Sequence, residues 1–135
     1  MAVKTAALLV TLVAAGVARA EEAKPWWALV PDSYDGAIFS GRGYAQGATE
    51  FHRDGAALAG SYAFVEPDGT QIDGTLDRCV APAPNNLACR WTDRYGSGSV
   101  AFVFDETLLS FTGLWFSPKV PKQGMPWTGQ RRIGS

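Results

Sequence analysis

From Gln71 to Asp77 every second residue is polar, and the residues between them are Ile72, Gly74 and Leu76. The segment therefore has period two, with a glycine at the centre of its apolar face. The same grammar returns as Leu58-Gly60-Tyr62, Phe111-Gly113-Trp115 and Trp127-Gly129-Arg131, and once with cysteine in the glycine slot, as Leu87-Cys89-Trp91. Alternation with one polar face marks half-buried antiparallel strands. No window of the chain shows an apolar period of 3.6, so a helical fold is excluded. Glycine weakens a strand interior unless something needs the room a side chain would take.

Runs bounded by turn signals give eight candidate strands: 36–41, 48–53, 57–65, 70–78, 87–93, 98–105, 108–116 and 126–133. The connections are "RDGA" at 53–56, "EPDGT" at 66–70, "PAPNN" at 82–86, "RYGSG" at 94–98, "DET" at 105–107 and a longer Pro-rich "SPKVPKQGMP" at 117–126. Connectors this short force sequential strands to pair antiparallel. The expectation is an all-β domain, a single antiparallel up-and-down meander of about eight strands. Glycines on the concave face let strands coil and leave space for neighbouring rings, which favours closure into a small barrel. Closure also removes exposed edges. An open β-sandwich in which the glycines only relieve crowding is the alternative.

The first twenty residues form a separate unit. Lys4 precedes an apolar stretch from Thr5 to Val17, and Ala18-Arg19-Ala20 supplies an A-x-A cleavage site before Glu21. This reads as a secretory signal peptide; thirteen apolar or small residues are too few to span roughly 30 Å of hydrocarbon. No cysteine follows the cleavage point, so a lipoprotein is not indicated. The expected organisation is a signal peptide at 1–20, an irregular lead-in at 21–35 and a β-barrel domain at 36–135, with a periplasmic or secreted destination. Removing Lys4 and Arg19 from the 12 basic residues leaves ten against 13 acidic ones, a formal charge of −3. That balance, with no basic run, argues against nucleic acid or an anionic membrane as partner.

Export bears on Cys79 and Cys89, the only cysteines. In an oxidising compartment an isolated pair is read first as a disulfide; a two-cysteine metal site is the weaker option because no histidine or further cysteine accompanies it. In a hairpin closed by "PAPNN" the two residues lie opposite each other. Cys89 shares the apolar parity of Leu87 and Trp91, however, whereas Cys79 shares the polar parity of Asp77. Opposed residues must share a face, so a bulge between Leu76 and Cys79 is expected.

On Gly36, Gly43, "RDGAALAGSY" (53–62) and the strand-central glycine followed by an aromatic in "SFTGLW" (110–115), the chain resembles the avidin and streptavidin family of small secreted eight-stranded barrels. That resemblance implies an up-and-down barrel with a ligand pocket at one mouth. Tyr62 matches the strand-three tyrosine of the family's biotin pocket. Phe64 stands where a hydroxyl residue is expected, Ser40 is a loose counterpart of the strand-one polar residue, and Tyr44 occupies the strand-two entry. The broader calycin pattern is half matched: Arg131 has the inward parity of its last-strand arginine, while Ile38 stands at the tryptophan position, where Trp26 or Trp27 offers a replacement at the barrel floor.

The chemistry-bearing residues do not assemble into a catalytic signature. His52 is the only histidine and sits beside a turn, without a serine and acid to complete a triad. Asp73 and Asp77 are four residues apart on one strand, roughly 13 Å at strand rise, too far for an acid/base pair. Asp32/Asp35 and Asp105/Glu106 read as turn chemistry. "SGRGYAQG" (40–47) has the glycines of a phosphate loop without its lysine or helix. The expectation is a protein that is not an enzyme and carries no cofactor or metal.

What remains is a set of inward-facing aromatic residues. Tyr62, Trp91, Phe102, Phe104, Phe111, Trp115 and Trp127, with Arg131, are the candidate ligand-binding residues. Rings at such positions either fill the core or line a pocket, since an eight-stranded barrel is just wide enough to hold one small molecule. Two functions follow: a binding protein for a small apolar, aromatic or sugar ligand, or an accessory or inhibitor-like protein that binds another exported protein through the 117–126 connection and Trp26-Trp27.

Overall fold

The computed structural model describes residues 25–132; the proposed signal peptide and the first residues of the lead-in, 21–24, lie outside them. Eight antiparallel strands, β1 (Ser33–Phe39), β2 (Tyr44–Asp54), β3 (Ala57–Val65), β4 (Gln71–Ala83), β5 (Asn86–Asp93), β6 (Gly96–Phe104), β7 (Ser110–Ser117) and β8 (Val120–Arg131), pair in sequence order. β8 then pairs with β1, which closes the barrel and eliminates the sandwich alternative.

Alternation decides which side chains enter the barrel. On β3, Leu58, Gly60, Tyr62 and Phe64 are buried while Ala57 and Val65 are exposed. Leu87, Cys89 and Trp91 on β5 and Val100, Phe102 and Phe104 on β6 repeat the pattern. The recurrent glycine is explained by what lies across it. A Cβ at Gly74 on β4 would coincide with the ring of Tyr62 from β3; one at Gly98 on β6 would press on the Trp91 indole from β5; one at Gly129 on β8 would enter the Phe111 ring from β7. At Gly113 on β7 the Cβ would come within 3.1 Å of Phe102 from β6. In these four cases an aromatic ring lies over the glycine of the next strand, whereas at Gly60 on β3 the added Cβ would meet the Glu50 carbonyl of β2. Packing at interior density leaves no room for an added methyl group there.

Several boundaries differ from those expected. β1 begins at Ser33 and not at 36, so Tyr34, fully buried, belongs to it. β2 begins at Tyr44 and is eleven residues long. The largest correction concerns 117–126, which is not a long connection: Ser117 pairs with Val120 across a turn at Pro118-Lys119, and β8 runs through Pro121 and Pro126. Both prolines fall in the part of β8 ahead of Trp127, where no β1 partner is present, so their missing N–H groups break no ladder bond on that side. The "PAPNN" connection is likewise shorter, a two-residue turn at Pro84-Asn85 with Ala83 opposite Asn86 and Asn85 at φ 64°.

The disulfide between Cys79 and Cys89 is present, with the two Cα atoms 4.1 Å apart. The register passes from Asp77↔Arg90 to Val80↔Ala88, so two residues of β4 oppose Cys89 alone. Arg78, with φ 51°, is the inserted residue, and the expected bulge between Leu76 and Cys79 is there. A second shift, between Val80 and Ala83, was not anticipated.

One end of the barrel is filled. Tyr34, Phe51, Phe102, Phe104 and Phe111 pack mostly edge to face with centroids 5.0–6.3 Å apart, and Phe102 and Phe104 meet tilted at 6.4 Å. The Tyr34 hydroxyl donates to the Leu108 carbonyl at 2.6 Å. A short 3-10 helix, Trp26–Leu29, covers this end. Trp26 lies 5.7 Å from Phe104, and the Arg53 guanidinium sits over Trp27 and donates to the Ala28 carbonyl. Burial, reinforced by the charge of Asp105 and opposed by that of Arg131, pushes the Tyr34 hydroxyl well above the usual tyrosine range.

Candidate functional site

The opposite end is hollow. A cavity of about 380 Å³ opens between the β1–β2, β3–β4, β5–β6 and β7–β8 turns. Its walls are Ile38, Phe64, Met125 and the rings of Tyr62, Trp91, Trp115 and Trp127; Arg42, Glu66, Asp93, Tyr95, Ser117 and Lys119 form its rim.

Each ring is held by its polar atom. The Trp91 Nε1–H donates to the Phe116 carbonyl at 3.1 Å, that of Trp115 to the Phe39 carbonyl at 3.0 Å, and that of Trp127 to the Thr49 hydroxyl at 3.0 Å. Thr49 is buried, and this bond gives its hydroxyl a partner. Trp91 and Trp115 meet edge to face at 5.5 Å, and Trp127 meets Tyr62 at 4.8 Å. With their N–H groups engaged, the indoles turn apolar ring surface to the cavity.

Tyr62 crosses over Gly74 and donates its hydroxyl hydrogen to Asp93 Oδ2 at 2.6 Å. Burial, followed by this bond to an anion, raises its pKa far above the ordinary tyrosine value. The other oxygen of Asp93 accepts from the Tyr95 backbone N–H at 2.8 Å. The Tyr95 hydroxyl donates to Glu66 at 2.6 Å, tying the β5–β6 turn to the β3–β4 turn, and this bond raises the Tyr95 pKa.

Four of the candidate ligand residues, Tyr62, Trp91, Trp115 and Trp127, thus come together at the hollow end. Phe102, Phe104 and Phe111 belong to the packed half. Arg131 has the inward parity of Trp127 and Gly129 but is exposed at the far end of β8, away from the cavity. Trp26 and Trp27 cap the filled end, half-buried against the core. His52 lies exposed on the outer face of β2, and Asp77 on the outer wall is bound through both oxygens by Arg90 at 2.8 and 2.6 Å. Among the described residues no cluster of three or more metal-ligating side chains occurs.

The rim residues Arg42, Glu66, Asp93, Tyr95 and Lys119 were missed because they sit in or beside turns that read as solvated connectors. Asp93 alone carried a signal, since it continues the inward series Leu87, Cys89, Trp91. Comparisons with family models, curated proteins and solved structures found no match to the chain.

Proposed function

We propose that the protein is an exported binding protein that holds a small ligand in the open mouth of its barrel. The observation that carries this reading is the asymmetry of the interior: one half is packed with rings, while the other keeps about 380 Å³ free between rings of fixed orientation. Small-molecule sites are concave, mostly apolar and furnished with a few fixed polar groups, and this mouth has that composition. Export is supported by the leader-like segment 1–20 and the disulfide. The resemblance to avidin-type barrels is consistent with the closed eight-stranded meander. For the other reading, docking to an exported protein, the 117–126 surface is an exposed hairpin end and not a free loop.

Native mass spectrometry of the protein isolated from its own cells tests the proposal. The expected result is a chain beginning at Glu21 that retains a small molecule while folded and releases it on unfolding. A chain that retains its first twenty residues overturns export, and one that carries a second protein in place of a small molecule overturns the ligand reading.

A further inference from the structure

The mouth has an uneven supply of hydrogen-bond donors. The three indole N–H groups, the hydroxyls of Tyr62 and Tyr95, and the Ser40 hydroxyl, which donates to the Gly43 carbonyl, are all committed to protein acceptors. Three lining groups keep donors for a ligand. Arg42 and Lys119 are exposed and form no side-chain hydrogen bond or ion pair among the described residues. The Ser117 hydroxyl accepts from the Lys119 backbone N–H at 3.2 Å, which leaves its own hydrogen available.

These three groups come from the β1–β2 and β7–β8 turns, which are neighbours around the rim because β8 pairs with β1. The carboxylates Glu66 and Asp93 belong to the other half of the rim, where tyrosine hydroxyls and a backbone N–H already bond them. Arg42 is close enough to Asp68 for its charge to contribute to lowering that carboxyl's pKa, but no ion pair forms. The rim therefore asks for an acceptor, preferably anionic, on one side, above a floor of ring faces. A sugar would need donors and acceptors down in the cavity, where Ile38, Met125 and ring faces form the walls. A volume of about 380 Å³ lies near the lower end for small-molecule sites and suits one or two fused rings.

We infer that the ligand is an aromatic carboxylate of one or two rings, its ring among Trp91, Trp115 and Trp127 and its carboxylate against Arg42, Lys119 and Ser117. A guanidinium and an ammonium at the mouth of an apolar cavity recognise a carboxylate through charge-assisted hydrogen bonds. The inference rests on the mouth being a ligand site, and the experiment separates the two.

Isothermal titration of the full chain with 1-naphthoate, 1-naphthamide, 1-naphthylmethylammonium and glucose tests it. The expected order is naphthoate tightest, by about tenfold over the amide, with the ammonium weaker still and glucose not bound. The double variant Arg42→Gln/Lys119→Gln is expected to bind naphthoate no better than the amide while keeping the thermal midpoint of the parent, since neither side chain is bonded in the fold. Equal binding of acid and amide, or preference for the ammonium, overturns the carboxylate inference and leaves the pocket standing. Binding of glucose alone overturns the aromatic assignment, and binding of no probe overturns both the inference and the pocket reading.

Discussion

Gly74→Ala adds a single methyl group at a position where Tyr62 leaves none free. The new Cβ would fall on the Cζ and hydroxyl end of the Tyr62 ring, so the ring must move. That end also donates to Asp93 at 2.6 Å, and a displaced ring loses the bond. Overpacking of this kind costs about 1–3 kcal/mol, and a hydrogen bond to a charged acceptor contributes about 1.5–3 kcal/mol. Because the bond lies beside the open mouth, water replaces part of it, and the lower end of the second range, about 1.5 kcal/mol, applies; the sum is about 2.5–4.5 kcal/mol. At about 4 °C per kcal/mol the midpoint of thermal unfolding should fall by about 10–18 °C. The mechanism is tested by a double-mutant cycle. In a Tyr62→Ala background, already destabilised, the further change Gly74→Ala should cost under about 0.5 kcal/mol, because the ring it displaces is gone and alanine restricts the unfolded chain more than glycine. Equal penalties in both backgrounds would refute the ring-over-glycine account.

Gly113→Val should cost about 1–2 kcal/mol, since even a Cβ there approaches Phe102 and two carbonyl oxygens at 3.1 Å, whereas Thr112→Val on the exposed face should cost under about 0.5 kcal/mol; urea denaturation compares them. Replacing Cys79 and Cys89 by serine should lower stability by about 3 kcal/mol on the chain-entropy estimate for a loop of this length, and reduction of the parent protein should reproduce the loss. The hydroxyls of Tyr34 and Tyr62 are neutral in the fold well above the pH at which they ionise in the unfolded chain, so the stability tied to them is intact below pH 10 and declines as pH rises beyond it. Phenolate absorbance of the native protein should accordingly lag behind that of the protein in urea, and coincident titration curves would count against the burial of these two residues.

The meander was legible because period two, the inward glycines and the short connectors all specify the same arrangement. Parity even located the bulge between Leu76 and Cys79, since Cys79 could reach Cys89 only if one residue was inserted ahead of it, and in the structure that residue is Arg78. Proline misled at 117–126: it ends central strands, but here it lies where β8 has no partner on one side. The division of the aromatic residues between a filled and a hollow half was not legible, because parity places a ring inside the barrel without giving its height along the axis. Phe102 and Trp91 are alike in sequence pattern, yet one packs against Phe51, Phe111 and Trp127 and the other faces the cavity. Arg131 shows the same limit from the opposite end, with inward parity at a height where no interior remains.

The central claim is that the hollow end, lined by Trp91, Trp115 and Trp127, is where a small molecule binds. The five tryptophans provide an internal comparison, because the remaining two, Trp26 and Trp27, cap the opposite end. In a heteronuclear NMR titration of the ¹⁵N-labelled protein with 1-naphthoate, the indole N–H signals of Trp91, Trp115 and Trp127 should shift in saturable fashion while those of Trp26 and Trp27 stay in place. Movement of Trp26 and Trp27 alone, or no saturable movement of any indole, would contradict the claim.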